Sequence, residues 1–127
     1  MPVTGKTRPV FLNLLQIRLP VGGILSILHR VSGVLLVLSI PLMIWVVQLL
    51  NAGPQGYSRA MALFDQDGFR FLIFIVAWLL TQHSLSGIRH LLLDMGIGYD
   101  LPQARASAWA AFVCSLLMAC WFAVLLW

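Results

Sequence analysis

The sequence has very little charge: only 9% of its 127 residues are Asp, Glu, Lys or Arg, and glutamate is absent altogether. Soluble domains carry about 25% charged residues, so this chain has too few to cover a water-facing surface. At 61% hydrophobic residues it is equally unlike a disordered tail, which combines low hydrophobicity with high net charge. The scarcity of charge excludes a soluble globular enzyme and favours an integral membrane protein.

Cysteine is also scarce, with Cys114 and Cys120 as the only two. On a helix, their spacing corresponds to a rise of roughly 9 Å, which is beyond the disulfide limit of about 7 Å between Cα atoms. No zinc or iron–sulfur spacing is present, which excludes metal–thiolate chemistry. The eight basic residues are too few and too scattered for a nucleic-acid surface, so we interpret them as topology signals.

Three long apolar segments dominate the rest of the chain. A bilayer core about 30 Å thick needs about 20 helical residues, and each segment meets that length. We expect spans at 22–51, 68–92 and 104–127, after an N-terminal segment of residues 1–21, all within one membrane-anchor domain. Pro41 lies inside the first span, where neighbouring membrane helices tolerate a proline.

The links between the spans have their own signals. A turn cluster begins at Asn51, and Tyr57–Phe64 is expected to form a short interfacial helix. Asp67 is expected to cap the second span. In the third span, small residues recur every four positions, which predicts a helix-packing face. These residues are Ser107, Ala111, Ser115, Ala119 and Ala123.

The basic residues predict the orientation of the bundle. Six lie on one predicted side of the membrane, and these are Lys6, Arg8, Arg18, Arg30, Arg89 and Arg105; Arg59 and Arg70 lie on the other. Cytoplasmic ends carry the excess of Lys and Arg, so the N-terminus is expected in the cytoplasm and the C-terminus outside. Because three helices can hide few polar groups, we expect an all-α integral membrane bundle of three transmembrane helices that pairs with a second membrane subunit.

A first polar cluster lies at the predicted cytoplasmic end of the first span. Ser26, His29, Arg30 and Gly33 are spaced i, i+3, i+4 and i+7, which places them on one helical face. This convergence favours a ligand pocket. The alternative is interfacial anchoring, in which Arg30 extends to lipid headgroups.

A second polar cluster lies in the second span and comprises His83, Ser86, Gly87, His90 and Asp94. His83 precedes Arg89, the predicted cytoplasmic boundary of the second span, by six residues. Its neutral imidazole would therefore lie roughly 9 Å deeper in the membrane than that boundary. Haem iron is the metal that such a nitrogen commonly binds in proteins. His90 lies roughly 10.5 Å from His83 along the helix axis, which approximates the distance from a haem iron to its propionates. Gly87 would leave room for a flat macrocycle. The alternative is a structural histidine bonded to a neighbouring helix.

Only one histidine is deep in a span, so a six-coordinate haem would need its second axial ligand from another chain. His29 lies at a span edge beside Arg30 and suits a carboxylate partner better than an iron.

Both clusters resemble signatures of the cytochrome b membrane-anchor subunit of succinate dehydrogenase, respiratory complex II. The first is Arg8-Pro9 followed by Ser26-Ile27-Leu28-His29-Arg30-Val31-Ser32-Gly33, and the second is His83-x-x-x-Gly87-Ile88-Arg89-His90-Leu91-x-x-Asp94-x-Gly96. Their order, their spacing and the three-span layout match over nearly the whole chain. Leu93 is a departure, since the family often has an aromatic residue or Met there.

The resemblance implies a membrane anchor of succinate:quinone oxidoreductase that binds haem b and helps form the ubiquinone-reduction site. Succinate oxidation, FAD and the iron–sulfur clusters would belong to the flavoprotein and iron–sulfur subunits. By motif, His83 matches the axial ligand of the haem iron. His29, Arg30 and His90 match the propionate side of the haem pocket, and Ser26 and Arg30 match the quinone pocket.

Other functions stay open from the sequence. The resemblance also fits the anchor of a quinol:fumarate reductase, and a haem-free structural anchor is a further alternative, against which His83 argues. A small transporter or channel subunit would need charges along a through-path, and the third span has none after Arg105. The short stretch before Arg8-Pro9 favours a bacterial inner membrane.

Overall fold

A computed structural model describes residues 19–127, so the predicted N-terminal segment lies almost entirely outside the described residues. Within 19–127 the chain forms four helices and no β-strand. They are α1 (Val21–Asn51), α2 (Gly53–Phe64), α3 (Asp67–Asp94) and α4 (Leu101–Leu126). Three of them, α1, α3 and α4, are long and apolar enough to cross a membrane, which confirms the predicted all-α bundle of three transmembrane helices.

The long helices exceed the thickness of a bilayer core. They contain 31, 28 and 26 residues, and the shortest extends roughly 40 Å at a rise of about 1.5 Å per residue. The helix α1 continues through Pro41. Most large apolar side chains point outward, for example Val37 and Leu38, as expected for a surface that contacts lipid rather than water.

Contacts between the helices define their directions. Gly22 and Gly33 of α1 lie near Arg89 and His83 of α3, so these two helices are antiparallel. Arg89 near the end of α3 bonds to the start of α4, and Phe74 near the start of α3 contacts Trp127 after the end of α4, so α3 and α4 are antiparallel as well. Packing between α1 and α4 is centred on Leu25, which forms a buried cluster with Ala108 and Ala111 of α4. Ala111 belongs to the predicted packing face, and Ala108 lies beside that face.

The short helix α2 begins at Gly53, four residues before the predicted start at Tyr57. Gly53 has a φ of +77°, which lets the chain reverse direction directly after α1. Gly56 then packs against α1 so closely that an added Cβ would lie 2.5 Å from the carbonyl oxygen of Leu49. A tight glycine contact, which no apolar pattern reveals, therefore folds α2 back onto the end of α1.

The ends of α3 differ in how well the sequence predicted them. The predicted cap Asp67 is wrong, because Gln66 occupies the N-cap position and the Asp67 carboxylate instead lies 3.8 Å from the Arg70 guanidinium. At the other end, Gly96 has a φ of +78°, and Ile97 N–H donates to the carbonyl of Leu92. This Schellman motif ends α3 and starts the loop to α4. Cys114 and Cys120 are free and exposed on α4.

Candidate functional site

Three histidines from two helices converge between α1 and α3. His29 of α1 stacks on His83 of α3, with ring centroids 4.2 Å apart and an interplanar angle of 15°. The same His29 ring lies 5.2 Å from His90 at a tilt of 51°. Because His83 and His90 are seven residues apart, they share one face of α3, as the sequence predicted. His29 of the first cluster therefore lies against His83 and His90 of the second.

The His83 ring is held by its Nδ1 atom. This nitrogen lies 3.0 Å from the backbone carbonyl oxygen of His29 and 3.2 Å from Ser32 Oγ. A carbonyl oxygen only accepts hydrogen bonds, so Nδ1 carries the proton and donates it. In a neutral imidazole the other nitrogen then has a free lone pair. The local geometry fixes the tautomer in which Nε2 of His83 is available as a ligand.

Two glycines allow the close approach of α1 and α3. A Cβ on Gly33 would lie 3.0 Å from Cε1 of His83, so this position admits only glycine without displacing the ring. At Gly87, an added Cβ would lie 3.3 Å from Nε2 of His29, so the His29 ring lies against the space that this glycine leaves.

The two predicted quinone residues lie one turn apart on α1. Ser26 is half-buried and Arg30 is exposed. A shallow groove of about 260 Å³ passes Arg30 and is otherwise lined by the apolar side chains of Val31, Val34 and Leu35. An apolar groove beside one exposed guanidinium can receive the flat apolar body of a ligand whose polar edge faces the charge.

The remaining members of the second cluster lie away from the stacked histidines. Ser86 is fully buried and accepts a hydrogen bond from Nε2 of Gln82 at 3.0 Å. Asp94 is exposed at the end of α3. His83 and His90 are thus the two residues of the second cluster that the structure brings to His29.

Arg89 was predicted only as a topology signal, but it is a buried structural residue with 8% of its surface exposed. Its Nε donates to Ser107 Oγ at 3.1 Å, and its Nη2 donates to the carbonyl of Ala104 at 2.9 Å. The guanidinium also lines an apolar cavity of about 430 Å³ between α3 and α4, and this cavity includes neither Ser26 nor Arg30. The sequence signal for this role was a cation more than one helical turn inside a membrane-spanning helix.

Ser32 was also missed as a site residue. It is 1% exposed, and its hydroxyl donates to the carbonyl of His29 at 2.9 Å in addition to its contact with His83. The available signal was a hydroxyl three residues after His29 in an apolar span, since such a group needs a hydrogen-bond partner in lipid.

The described residues contain few groups that could hold a metal. Within residues 19–127, no group of three or more His, Cys, Asp or Glu side chains is placed to hold a metal ion. The Nε2 lone pair of His83 can supply one nitrogen ligand.

Comparison with known proteins places the chain in a family. Residues 4–124 match the family described as Succinate dehydrogenase/Fumarate reductase transmembrane subunit. The chain is 33% identical to the succinate dehydrogenase cytochrome b556 subunit of Coxiella burnetii, over 94% of this chain and 97% of that protein. It is 34% identical to the protein of the same name from Paracoccus denitrificans, over 92% of this chain and 90% of that protein. The protein therefore belongs to the transmembrane subunit family of succinate dehydrogenase and fumarate reductase, as a multi-pass membrane protein.

Proposed function

We propose that this chain is the haem b-binding membrane anchor of a succinate:quinone oxidoreductase, with His83 as one axial ligand of the haem iron. The observation that carries the proposal is the bond from His83 Nδ1–H to the His29 carbonyl, at 3.0 Å. Metal-binding histidines almost always donate their second nitrogen in this way, which fixes the ring and raises its basicity. The cytochrome b556 names of the relatives agree with this assignment.

The surroundings of His83 fit a haem in their chemistry. His29 supplies ring nitrogens beside His83, His90 supplies them on the other side of His29, and Arg30 adds a positive charge on α1. Such donors suit the propionate groups, so these three residues are assigned to the propionate side. The second ligand of the iron is assigned to a second small membrane subunit, because the His29 ring, which stacks on His83, is assigned to the propionate side.

A bound haem would supply reversible one-electron transfer within the membrane. The contribution of this chain is to hold and orient the group. His83 presents its Nε2 lone pair, the His29 carbonyl keeps the ring in place, and the apolar spans exclude water. These roles require no proton transfer at His83, because the proton stays on Nδ1 and is donated to the His29 carbonyl.

Ubiquinone reduction is assigned to the groove beside Arg30, with a second wall from partner subunits. Ser26 would donate a hydrogen bond to a quinone carbonyl, and Arg30 would place a fixed positive charge where negative charge develops on the quinone oxygen. The predicted position of Arg30 at the cytoplasmic end of α1 would give the groove access to water, from which the two protons for the quinol would come. We assign the site to the cytoplasmic face of a bacterial inner membrane, where the iron–sulfur subunit docks and carries the flavoprotein.

The visible spectrum of the purified complex with His83→Ala tests the haem assignment. We expect the low-spin b-type spectrum to become high-spin, or the haem to be lost, because one axial nitrogen is removed. Ser84→Ala is the matched control, because Ser84 is the next residue on α3 and its side chain is exposed. Co-purification with the flavoprotein verifies that both variants assemble. An unchanged low-spin spectrum in His83→Ala would contradict the proposal.

A further inference from the structure

We infer that Ser32 is a positioning residue for His83, and that its hydroxyl lowers the midpoint potential of the haem. This inference rests on the proposed ligation of the haem iron by His83. Ser32 is buried inside the first transmembrane helix with 1% of its surface exposed, and it reaches across to α3.

Three polar atoms, namely the His29 carbonyl oxygen, Ser32 Oγ and His83 Nδ1, lie within hydrogen-bond distance of one another. The His29 carbonyl oxygen accepts from Ser32 Oγ at 2.9 Å and from His83 Nδ1 at 3.0 Å. The Ser32 hydroxyl proton is directed at this carbonyl, so an oxygen lone pair is left for Nδ1–H, 3.2 Å away. The Nδ1 proton of His83 is thus shared between two acceptors.

Two other serines show that the helix itself does not account for this arrangement. Ser39 Oγ donates to the Leu36 carbonyl at 2.7 Å, and Ser115 Oγ donates to the Phe112 carbonyl at 2.9 Å. Both make the same bond to the carbonyl three residues earlier that Ser32 makes. Of these three serines, Ser32 alone also contacts a histidine nitrogen, so its distinctive feature is the contact with the proposed ligand.

This contact has a defined electronic consequence. Acceptors at Nδ1–H increase the electron density that Nε2 donates to a bound metal, and that density stabilises the oxidised iron. Removing one of two acceptors weakens the donation. The midpoint potential then moves in the positive direction, and the ring is held less firmly because one of its two anchors is lost.

The test is a redox titration of the haem in the purified complex carrying Ser32→Ala, with Ser39→Ala as the matched control. We expect a positive shift of the midpoint potential and an affinity for haem that falls by about tenfold in Ser32→Ala, the lower end of the range for outer-shell partners. Ser39→Ala should leave both quantities at the wild-type values. The Ser32→Cys variant, whose sulfur is a weaker acceptor, should show a smaller positive shift of the midpoint potential. If Ser32→Ala assembles poorly, the midpoint potential of Ser32→Cys tests the inference instead.

The outcomes separate this inference from the proposed function. If Ser32→Ala and Ser32→Cys match Ser39→Ala in potential and haem affinity, while His83→Ala loses the low-spin spectrum, the role of Ser32 is overturned and ligation by His83 stands. If His83→Ala keeps the low-spin spectrum, the ligand assignment itself is wrong. A negative shift in Ser32→Ala would also overturn the inference, because it would mean that the hydroxyl withdraws electron density from the ring.

Discussion

The imidazole of His29 lies parallel to that of His83, with 4.2 Å between ring centroids, while the backbone carbonyl of the same His29 accepts the Nδ1 proton of His83. One residue thus contacts the proposed ligand through two separate groups. Because the carbonyl belongs to the main chain, substitution of the His29 side chain leaves the hydrogen bond to His83 in place. The two contacts can therefore be separated by mutation.

The His29 side chain is expected to act as a donor to a haem propionate. Hydrogen bonds to charged groups contribute about 1.5–3 kcal/mol, so His29→Ala should weaken haem binding by about 10- to 100-fold while the bound haem stays low-spin. His29→Phe keeps a flat ring for the stack on His83 but has no N–H. It should therefore resemble His29→Ala in haem affinity, measured by transfer of haem to an acceptor protein. Normal haem retention in His29→Phe would mean that stacking, and not donation, is the role of the ring.

Gly33 is expected to control the position of the His83 ring. An alanine Cβ there would lie 3.0 Å from Cε1 of His83, so Gly33→Ala should displace the ring and alter the low-spin spectrum. Alanine favours a helix over glycine by about 0.8–1 kcal/mol, so the helix itself should not be weakened. Gly23→Ala is the control, because the nearest atom to its Cβ would lie 3.7 Å away. A wild-type spectrum in Gly33→Ala would argue against a fixed role for this ring.

Ser26→Ala and Arg30→Leu should each lose quinone reduction while succinate oxidation continues with an artificial acceptor that takes electrons before the membrane. Loss of one donor to a developing oxyanion costs about 10²–10³-fold in rate. Steady-state assays with both acceptors, on equal amounts of assembled complex, measure the effect. If Arg30 only contacts lipid headgroups or a propionate, quinone turnover stays near normal. Normal turnover in both variants would exclude Ser26 and Arg30 as quinone residues.

The N-terminus is expected in the cytoplasm and the C-terminus outside, from the six-to-two distribution of basic residues. Reporter enzymes that are active only outside the cytoplasm should work when fused within 51–67 or after Trp127. Fusions in the loop between α3 and α4 serve as the internal control and should be inactive. Activity of an N-terminal fusion would reverse the orientation.

Gly56 and Gly68 should respond to alanine in opposite directions. At Gly56 the new Cβ would lie 2.5 Å from the Leu49 carbonyl oxygen, so α2 must shift, which costs about 1–3 kcal/mol. At Gly68 nothing lies within 4 Å of the new Cβ, and alanine should stabilise the fold by about 0.4–1 kcal/mol. Thermal unfolding of the purified complex should show a lower midpoint for Gly56→Ala and an equal or higher one for Gly68→Ala. A midpoint for Gly56→Ala at or above the wild-type value would show that α2 does not need this close contact.

The sequence predicted the long helices because apolar segments without charge leave few alternatives in a membrane. It also predicted that His83 and His90 share a face, because seven residues make nearly two whole turns. It did not predict which way that face points. With apolar residues around the whole circumference of α3, no polar side fixes its rotation, so the neighbours of Arg89 and His90 could not be assigned. The Ser32–His83 contact joins residues 51 apart in the chain and depends on that rotation.

The guanidinium of Arg89 has a consequence for how mutations at a distance reach the histidines. Its two bonds tie α3 to the first turns of α4, while His90, the next residue, points toward α1. Adjacent residues on a helix lie about 100° apart around its axis. The two bonds of Arg89 therefore also fix the rotation of α3 about its axis, and with it the direction in which His83 and His90 point. The helix α4 supplies none of the proposed ligands, yet its contacts with Arg89 limit the rotation of α3. A substitution that removes the Ser107 hydroxyl would therefore take away one of the two bonds that hold this end of α3, while the bond to the Ala104 carbonyl stays.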